Sequence, residues 1–245
     1  MPRKTSARTN VESRQERFDP PKTLEDHPFF DLRLDKEQIA FRDAIWDPDY
    51  DIVLCNAKSG SGKTTIAVAT AMTMCEYGRY SGIIYITAAG VYERKQGLLP
   101  GSLEEKSAPL FAPLVQAVTR LGYDPQRVIA NDGNTIIQKD GSALIVAQTD
   151  SYLRGVSLGE VNNPVIVIID EVQNFDVDAL KTVLSRVNVG SKAICIGCEF
   201  QCDLKDKEQS SLKRAESIYS KYSKTKICTL STCYRSWIAA VADEL

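Results

Sequence analysis

The sequence predicts an α/β fold in three layers, with a mostly parallel sheet between two layers of helices. Short strands at 51–57, 82–88 and 192–197 alternate along the chain with helical runs. These strands are mostly apolar instead of alternating with polar residues, which is typical of parallel strands buried on both faces. The length of 245 residues fits one such domain. We assign it to residues 31–245, behind a polar tail over residues 1–30 that we expect to be disordered.

The elements follow from local patterns. In LDKEQIAFRDAIW (34–46) apolar side chains recur at helical spacing, and Asp35 is placed to cap the helix. In NTIIQKDGSALIVAQ (134–148) the pair Asp140-Gly141 suits a two-residue type I′ turn and predicts an inserted β-hairpin. The other predicted elements are helices over 63–77, over 176–187 and after a capping box at Ser102 and Glu105, and strands over 163–175 and within 226–236.

Composition argues against several classes of protein. The formal net charge is −2, so global charge does not indicate a nucleic-acid binder, and we interpret the basic side chains of residues 1–17 as part of a solvated tail. No apolar run approaches the roughly 20 residues of a membrane span, and none follows the N-terminus as in a secretory signal. The single histidine, His27, argues against Ser–His or Cys–His catalysis. We therefore expect a soluble, cytoplasmic protein with no membrane partner.

The stretch CNAKSGSGKTT (55–65) lies between a predicted strand and a predicted helix, and it fits the P-loop pattern G-x-x-x-x-G-K-[ST] except at its first position. Successive backbone N–H groups and the positive end of the helix would bind phosphate there. Ala57 replaces the first glycine, which is tolerable where the backbone φ is negative. The alternative is a flexible surface loop. The predicted cradle consists of Ala57, Lys58, Ser59, Gly60, Ser61, Gly62, Lys63, Thr64 and Thr65.

Chemistry assigns roles within this cradle and at the end of a second strand. Lys63 would reach the β- and γ-phosphates of ATP, and the Thr64 hydroxyl would hold Mg²⁺. VIVIIDE supplies the expected acidic partners: Asp170 would bind Mg²⁺, and Glu171 would orient or deprotonate the attacking water. The alternative is a pair of acids that hydrate a strand end.

Four further candidates carry weaker signals. The amide of Gln38 offers a donor and an acceptor to an adenine edge, although a surface glutamine is the plainer interpretation. Gln201 follows a buried strand and could contact the γ-phosphate or the attacking water. Arg235 and Arg186 are candidate trans-acting arginines, and the alternative for each is a structural or solvated side chain.

Several motifs in order resemble the PhoH-like family of P-loop ATPases, whose core is related to superfamily 1 helicases. They are AKSGSGKTTIAVATAM, GLLPGSLEEKSAPLFAPLVQAV, LRGVSLGEV, IIDEVQNF and LSRVNVGSKAICIGCEFQCDL, which together cover roughly residues 34 to 205. The resemblance implies a three-layer RecA-like P-loop NTPase fold with a mostly parallel sheet and an inserted β-hairpin.

The same resemblance implies site residues. It gives nucleotide roles to Gln38, Lys63, Thr64, Asp170, Glu171 and Gln201, adds Gln173 and Asn174 as motif residues, and matches Arg235 in CYRS to an arginine that approaches the γ-phosphate. Three departures concern Ala57, Ala88 in place of an arginine, and Cys198 in place of an acid. The last two bear on what ATP is used for rather than on its binding.

The predicted function is an Mg²⁺-dependent ATPase that acts on RNA or single-stranded nucleic acid. One P-loop without a second full domain predicts a homo-oligomer, most simply a closed ring, in which a neighbour supplies an arginine. The resemblance favours a hexamer. The alternative is a non-motor switch whose ATP-driven assembly recruits a protein partner. A small-molecule kinase fits less well because a Glu after the strand Asp favours water activation.

Overall fold

The computed structural model describes residues 20–25, 29–89, 108–130, 144–153, 157–204 and 210–242. Within these ranges seven strands form one sheet, in the order β3-β4-β2-β5-β6-β1-β7, and every neighbouring pair is parallel. The strands are β1 (Ile52–Ala57), β2 (Ile83–Thr87), β3 (Ile129–Ala130), β4 (Ile145–Thr149), β5 (Ile166–Asp170), β6 (Lys192–Gly197) and β7 (Thr225–Leu230). The α/β prediction with a parallel sheet is confirmed.

Helices connect the strands. They are α1 (Lys36–Trp46), α2 (Lys63–Glu76), α3 (Ala112–Arg120), α4 (Pro125–Val128), α5 (Val177–Leu184), α6 (Ser211–Tyr219) and α7 (Trp237–Ala242). Asp35 caps α1 as predicted: its carboxylate accepts from the Gln38 amide N–H at 2.8 Å, and the Gln38 side chain accepts from the Asp35 N–H at 3.0 Å. This reciprocal capping box satisfies two N–H groups that the first turn of a helix leaves unpaired.

Two apolar cores cover the two faces of the sheet. One contains side chains of α1, α2 and α3, with Phe41, Met72 and Leu114 fully buried. The other contains side chains of α5 and α6, with Val183 and Leu212 fully buried. Since side chains alternate along a strand, β1, β2, β5 and β6 each contribute to both cores. The result is the three-layer arrangement that the sequence predicts.

Residues 134–143 of the predicted hairpin lie outside the described residues. The end of that stretch contains β4, which pairs in parallel with β2 and β3. The turn at Asp140-Gly141 and the capping box at Ser102 and Glu105 lie outside the described residues.

Packing also includes residues ahead of position 31. Leu24 and Phe29 are buried in the same core as α1. The indole N–H of Trp46 donates to the carbonyl of Pro21 at 3.0 Å. The described part of the tail therefore packs on the domain.

Among the described residues, no helix combines the length and apolar character that a membrane crossing would need.

Candidate functional site

The predicted site residues meet at the carboxyl edge of the sheet. β1 ends at Ala57 and leads through residues 58–62 into α2, whereas β5 ends at Asp170. Only β6 separates β1 from β5. Parallel strands direct their carboxyl ends to one edge, where open α/β sheets hold their ligands.

The loop after β1 has the backbone of a phosphate cradle. Gly60 and Gly62 have φ of 71° and 84°, a left-handed conformation that L side chains rarely adopt. The N-cap of α2 is Gly62, which has no side chain to bond the first N–H groups, so these groups can face an anion. Ala57 is buried, is not among the described residues with positive φ, and pairs with Leu230 of β7. The loss of the first glycine therefore leaves the loop unstrained at that position.

Two pairs of side chains join the cradle to the end of β5. The Thr64 hydroxyl donates to Asp170 Oδ2 at 2.8 Å, and Lys63 Nζ lies 3.4 Å from Glu171 Oε1. The hydroxyl and the carboxylate place two oxygen donors side by side, which is the donor type that Mg²⁺ prefers. The ammonium lies where it can bind phosphate oxygens.

Burial and charge act in opposite directions on these groups. Burial raises the pKa of Asp170, and the Glu171 charge adds to this, whereas Lys63 and the hydroxyls of Tyr85 and Thr64 lower it. Burial alone lowers the pKa of Lys63, but the charges of Glu171 and Asp170 outweigh that effect and raise it. A cation bound at Asp170 would favour the ionised carboxylate and so lower the pKa of Asp170.

Glu171 has an unusual backbone. Its φ of 55° and ψ of 43° lie in the left-handed region, which costs free energy in a residue other than glycine. Its N–H donates to Asp170 Oδ1 at 2.8 Å. With this conformation two consecutive side chains lie in different surroundings: Asp170 is fully buried under the cradle, whereas Glu171 lines the cavity.

A cavity of about 620 Å³ extends from the cradle. Gln38, Glu171, Gln201 and Arg235 line it together with the cradle residues from Ser59 to Thr65, except Ser61. Its other walls come from the segment ahead of α1 and from α3, and they include Leu32, Arg33, Leu34, Gln116 and Arg120. The cavity therefore brings cationic, polar and apolar groups together beside the phosphate cradle.

Gln38 has partners that the sequence did not indicate. Besides capping α1, its side-chain amide donates to the Ser61 carbonyl at 2.8 Å, and only 6% of the residue is exposed. It lines the cavity, but both ends of its amide are engaged with the protein. Its contact thus ties the first turn of α1 to the phosphate cradle.

The two candidate arginines lie in different places. Arg235 Nη1 donates to Ser59 Oγ at 3.2 Å, and a Cβ on Gly60 would lie 2.7 Å from Arg235 Cγ, so the arginine stem covers the cradle of its own chain. Arg186 is not among the cavity residues: it lies between α5 and β6, where its carbonyl accepts from the Leu158 N–H at 2.9 Å. That turn is at the amino edge of the sheet, so Arg186 lies away from the cradle of its own chain.

The positions that depart from the family pattern have ordinary partners. Cys198 is fully buried, and its N–H donates to Gln173 Oε1 at 2.9 Å. Its neighbour Glu199 accepts from Asn56 Nδ2 at 3.1 Å and pairs with Lys213 at 3.3 Å. Ala88 is buried. The Glu199 carboxylate is therefore engaged with Asn56 and Lys213.

Sequence reasoning missed two tyrosines. The Tyr85 hydroxyl is fully buried and donates to Asp170 Oδ2 at 2.6 Å. The Tyr234 hydroxyl donates to the Asp35 carboxylate, and the Tyr234 N–H donates to the Gly60 carbonyl at 3.0 Å. A signal existed for Tyr85, because a tyrosine inside the apolar strand GIIYITA needs a buried partner for its hydroxyl.

Comparisons with known proteins agree with these motifs. A family model described as "PhoH-like protein" matches residues 33–240. A PhoH-like protein of Mycobacterium leprae (strain TN) is 31% identical over 167 residues, which are 68% of this chain and 44% of that protein. A PhoH-like protein of Bacillus subtilis (strain 168) is 32% identical over 168 residues, or 69% of this chain and 49% of that one. The chain spans about half the length of these relatives.

Solved structures that match most of this chain do so at low sequence identity. Pif1 of Bacteroides sp in complex with ADP-AlF4 matches 84% of this chain and 43% of its own, with 16% identity and a TM-score of 0.37. The SWI2/SNF2 ATPase core domain of Sulfolobus solfataricus matches 87% of this chain and 46% of its own, with 15% identity and a TM-score of 0.46.

Proposed function

The chain belongs to the PhoH-like family, and from this premise we propose that it binds ATP with Mg²⁺ in the 620 Å³ cavity and hydrolyses it. The observation that carries the proposal is the meeting of two motifs 107 residues apart in sequence (from Lys63 to Asp170). Thr64 contacts Asp170, and Lys63 contacts Glu171. These are the four side chains that phosphate binding, metal binding and water activation require.

Each of these side chains has a separate task in the proposed reaction. The loop N–H groups and Lys63 hold the β- and γ-phosphates and offset the charge that develops on them. Glu171 orients the attacking water and accepts its proton, and Gln201, at the rim of the cavity, contacts that water or the γ-phosphate. Arg235, already bonded to Ser59, adds positive charge at the phosphates.

The residues present fit a magnesium ion. Thr64 and Asp170 would hold it, since their adjacent oxygens leave room for waters and phosphate oxygens as further ligands. When bound, Mg²⁺ would neutralise phosphate charge. Tyr85 and the Glu171 N–H fix the Asp170 carboxylate in place through separate oxygens.

The finer part of the proposal is coupling to RNA or single-stranded nucleic acid by a ring oligomer, in the cytoplasm. Family resemblance supports it. The competing candidate is an ATP-dependent switch that recruits a protein partner. Ala88 and Cys198 are buried at positions where the family pattern has polar residues, and this difference supports the switch as the competing candidate.

The first prediction concerns Glu171. The variant Glu171→Gln keeps the size of the side chain but removes the base, so we expect kcat for ATP to fall by about 10²–10⁴-fold. We expect the affinity for a non-hydrolysable ATP analogue to stay within about threefold. Steady-state phosphate release and calorimetric titration measure the two quantities.

The matched control is Glu160→Gln, which changes an exposed carboxylate outside the cavity and should leave turnover unchanged. Full activity of Glu171→Gln would contradict the role of Glu171. Absence of ATP turnover in the wild type, at concentrations that span assembly, would contradict the proposed function itself.

Turnover with and without added single-stranded RNA and DNA separates the two candidates. Stimulation by either polymer supports the nucleic-acid ATPase, whereas hydrolysis without stimulation favours the switch. A phosphorylated small molecule as product would instead indicate a kinase.

A further inference from the structure

Gln173 is a fully buried amide with all its hydrogen-bonding groups engaged. Its Nε2 donates to Glu171 Oε2 at 2.5 Å and to the Gln201 carbonyl at 3.2 Å, and its Oε1 accepts from the Cys198 N–H at 2.9 Å. One side chain thus joins the residue proposed as general base to both ends of the segment 198–201.

These partners allow one orientation of the amide. Cys198 offers an N–H donor, whereas Glu171 and Gln201 offer acceptors, so a rotation of the amide by 180° would oppose like groups at all three contacts. The fit is also tight: a Cβ on Gly197 would lie 2.5 Å from Gln173 Oε1. Glycine is therefore required at 197 for the glutamine to reach Cys198.

Among the residues that the structure describes, Glu171 has two side-chain partners, and they respond differently to a phosphate. Lys63 contacts Oε1 and Gln173 contacts Oε2. In the proposed function the triphosphate competes with Glu171 for the Lys63 ammonium. The bond from Gln173 involves no phosphate-binding group, so it is the contact that keeps the carboxylate aimed.

We propose that Gln173 is the positioning residue of the hydrolytic site, which fixes the Glu171 carboxylate and transmits its position to the 198–201 segment that carries Gln201. The inference rests on the proposed function. Gln173 itself does not line the cavity, so it acts through Glu171 and Gln201.

Replacement by a side chain of similar length without hydrogen bonds tests the proposal. We expect Gln173→Met to lower kcat by about 100-fold, because a misplacement of about 1 Å costs that much, with KM for ATP within about twofold of the wild type. Because this change leaves the Cys198 N–H unpaired, Gln173→Glu is the second variant. It keeps an acceptor for Cys198 but removes the donor to Glu171, and we expect the same loss of kcat from it.

The matched control is Asn188→Leu. It removes another bond from a side-chain amide to a backbone carbonyl, that of Asn188 to Gly159 at 2.6 Å, at the opposite edge of the sheet. We expect its kcat to match that of the wild type. Equal losses in this control and in Gln173→Met would reduce Gln173 to a general structural role.

A double-mutant cycle tests whether Gln173 acts through Glu171. We expect Gln173→Met to lower the residual turnover of Glu171→Gln by less than about twofold, because the carboxylate it positions is already gone. A further 100-fold loss would overturn the proposal. No turnover by the wild type would contradict the proposed function, whereas wild-type turnover with unaffected Gln173 variants would contradict this inference alone.

Hydrogen exchange gives a readout apart from turnover. We expect a non-hydrolysable ATP analogue to slow exchange of the amides of residues 197–202 in the wild type and not in Gln173→Met. The same response in both proteins, or none in the wild type, would show that Gln173 transmits nothing to this segment.

Discussion

Among the described residues, Asp170 and Lys192 are charged residues with at most 1% of their surface exposed, and they lie at opposite edges of the sheet. Asp170 ends β5 at the carboxyl edge and is held by the hydroxyls of Thr64 and Tyr85. Lys192 begins β6 at the amino edge, where its ammonium donates to the carbonyls of Ile45 at 2.8 Å and Asp47 at 2.6 Å. These carbonyls lie at the end of α1, which carries partial negative charge. Asp170 belongs to the candidate site, whereas Lys192 closes a helix end.

The environment of Lys192 gives a pH-dependent prediction. Burial lowers its pKa from 10.5 to about 8, so between these values the unfolded chain binds more protons than the folded chain. Its contribution to the free energy of unfolding therefore rises as the pH increases from about 8 to about 10.5. Against Lys192→Met, we expect the difference, wild type minus variant, to rise by up to about 3 kcal/mol over that range. Urea unfolding at a series of pH values measures it.

Tyrosines and cysteines titrate in both proteins, so their contributions to the free energy of unfolding cancel in the difference between wild type and variant. Lys181→Met, on the exposed face of α5, controls for the loss of one positive charge. If the difference for Lys192→Met stays flat from pH 7.5 to 10.5, the Lys192 ammonium is not the buried group that the contacts with α1 indicate.

At the scale of elements, α1 and the phosphate cradle are joined by hydrogen bonds as well as by packing. Gln38 belongs to the capping box of α1 and also bonds the Ser61 carbonyl. Tyr234, which follows β7, contacts both Asp35 and Gly60. The helix start, the cradle and the chain after β7 therefore form one hydrogen-bonded unit.

This arrangement predicts a combined effect on stability and nucleotide binding for Gln38→Met. The change removes a capping bond and a buried bond to the cradle, so we expect the free energy of unfolding to fall by about 1–3 kcal/mol. We also expect the Kd of an ATP analogue to rise about tenfold, because the cradle loses a support. Chemical unfolding and calorimetry measure these quantities.

Ile39→Ala is the control, since Ile39 is a neighbour on α1 that is 37% exposed. An unchanged Kd for Gln38→Met, together with reduced stability, would limit the role of Gln38 to capping.

The sequence pattern predicted those elements that depend on residues close to one another in the sequence. The apolar strands β1, β2, β5 and β6, the helix after the cradle and the cap at Asp35 all follow from periodicity or from motif chemistry. β4 also pairs in parallel with β2 and β3, and no local pattern in residues 134–148 indicates those partners. The contacts of Gln173 and Lys192 were missed for the same reason: their partners lie on other elements, and no spacing in one sequence reveals them.

At the scale of the whole molecule, the positions of Arg235 and Arg186 bear on whether one chain completes its own site. The described chain has one phosphate cradle, and Arg235 lies beside it in the same chain through its bond to Ser59. Arg186 lies at the opposite edge of the sheet, so it could reach a cradle only in another copy. Arg235 therefore fits a role within its own chain, whereas the predicted ring would be needed for any role of Arg186.

Mixing of inactive variants separates these roles. We expect Arg235→Ala to lower kcat by about 10³-fold, the lower end of the range for a supplied arginine. Because Arg235 contacts its own cradle, adding Lys63→Ala chains, which have an intact Arg235 but no phosphate lysine, should not restore turnover. Recovery in this mixture would mean that Arg235 acts on a neighbour.

The parallel mixture of Arg186→Ala with Lys63→Ala tests whether Arg186 is the predicted trans-acting arginine. Arg186 keeps that role only if Arg186→Ala alone loses turnover and the mixture regains it. Light scattering on the same samples shows whether the variants assemble, so that a failure to recover activity can be told apart from a failure to form the oligomer.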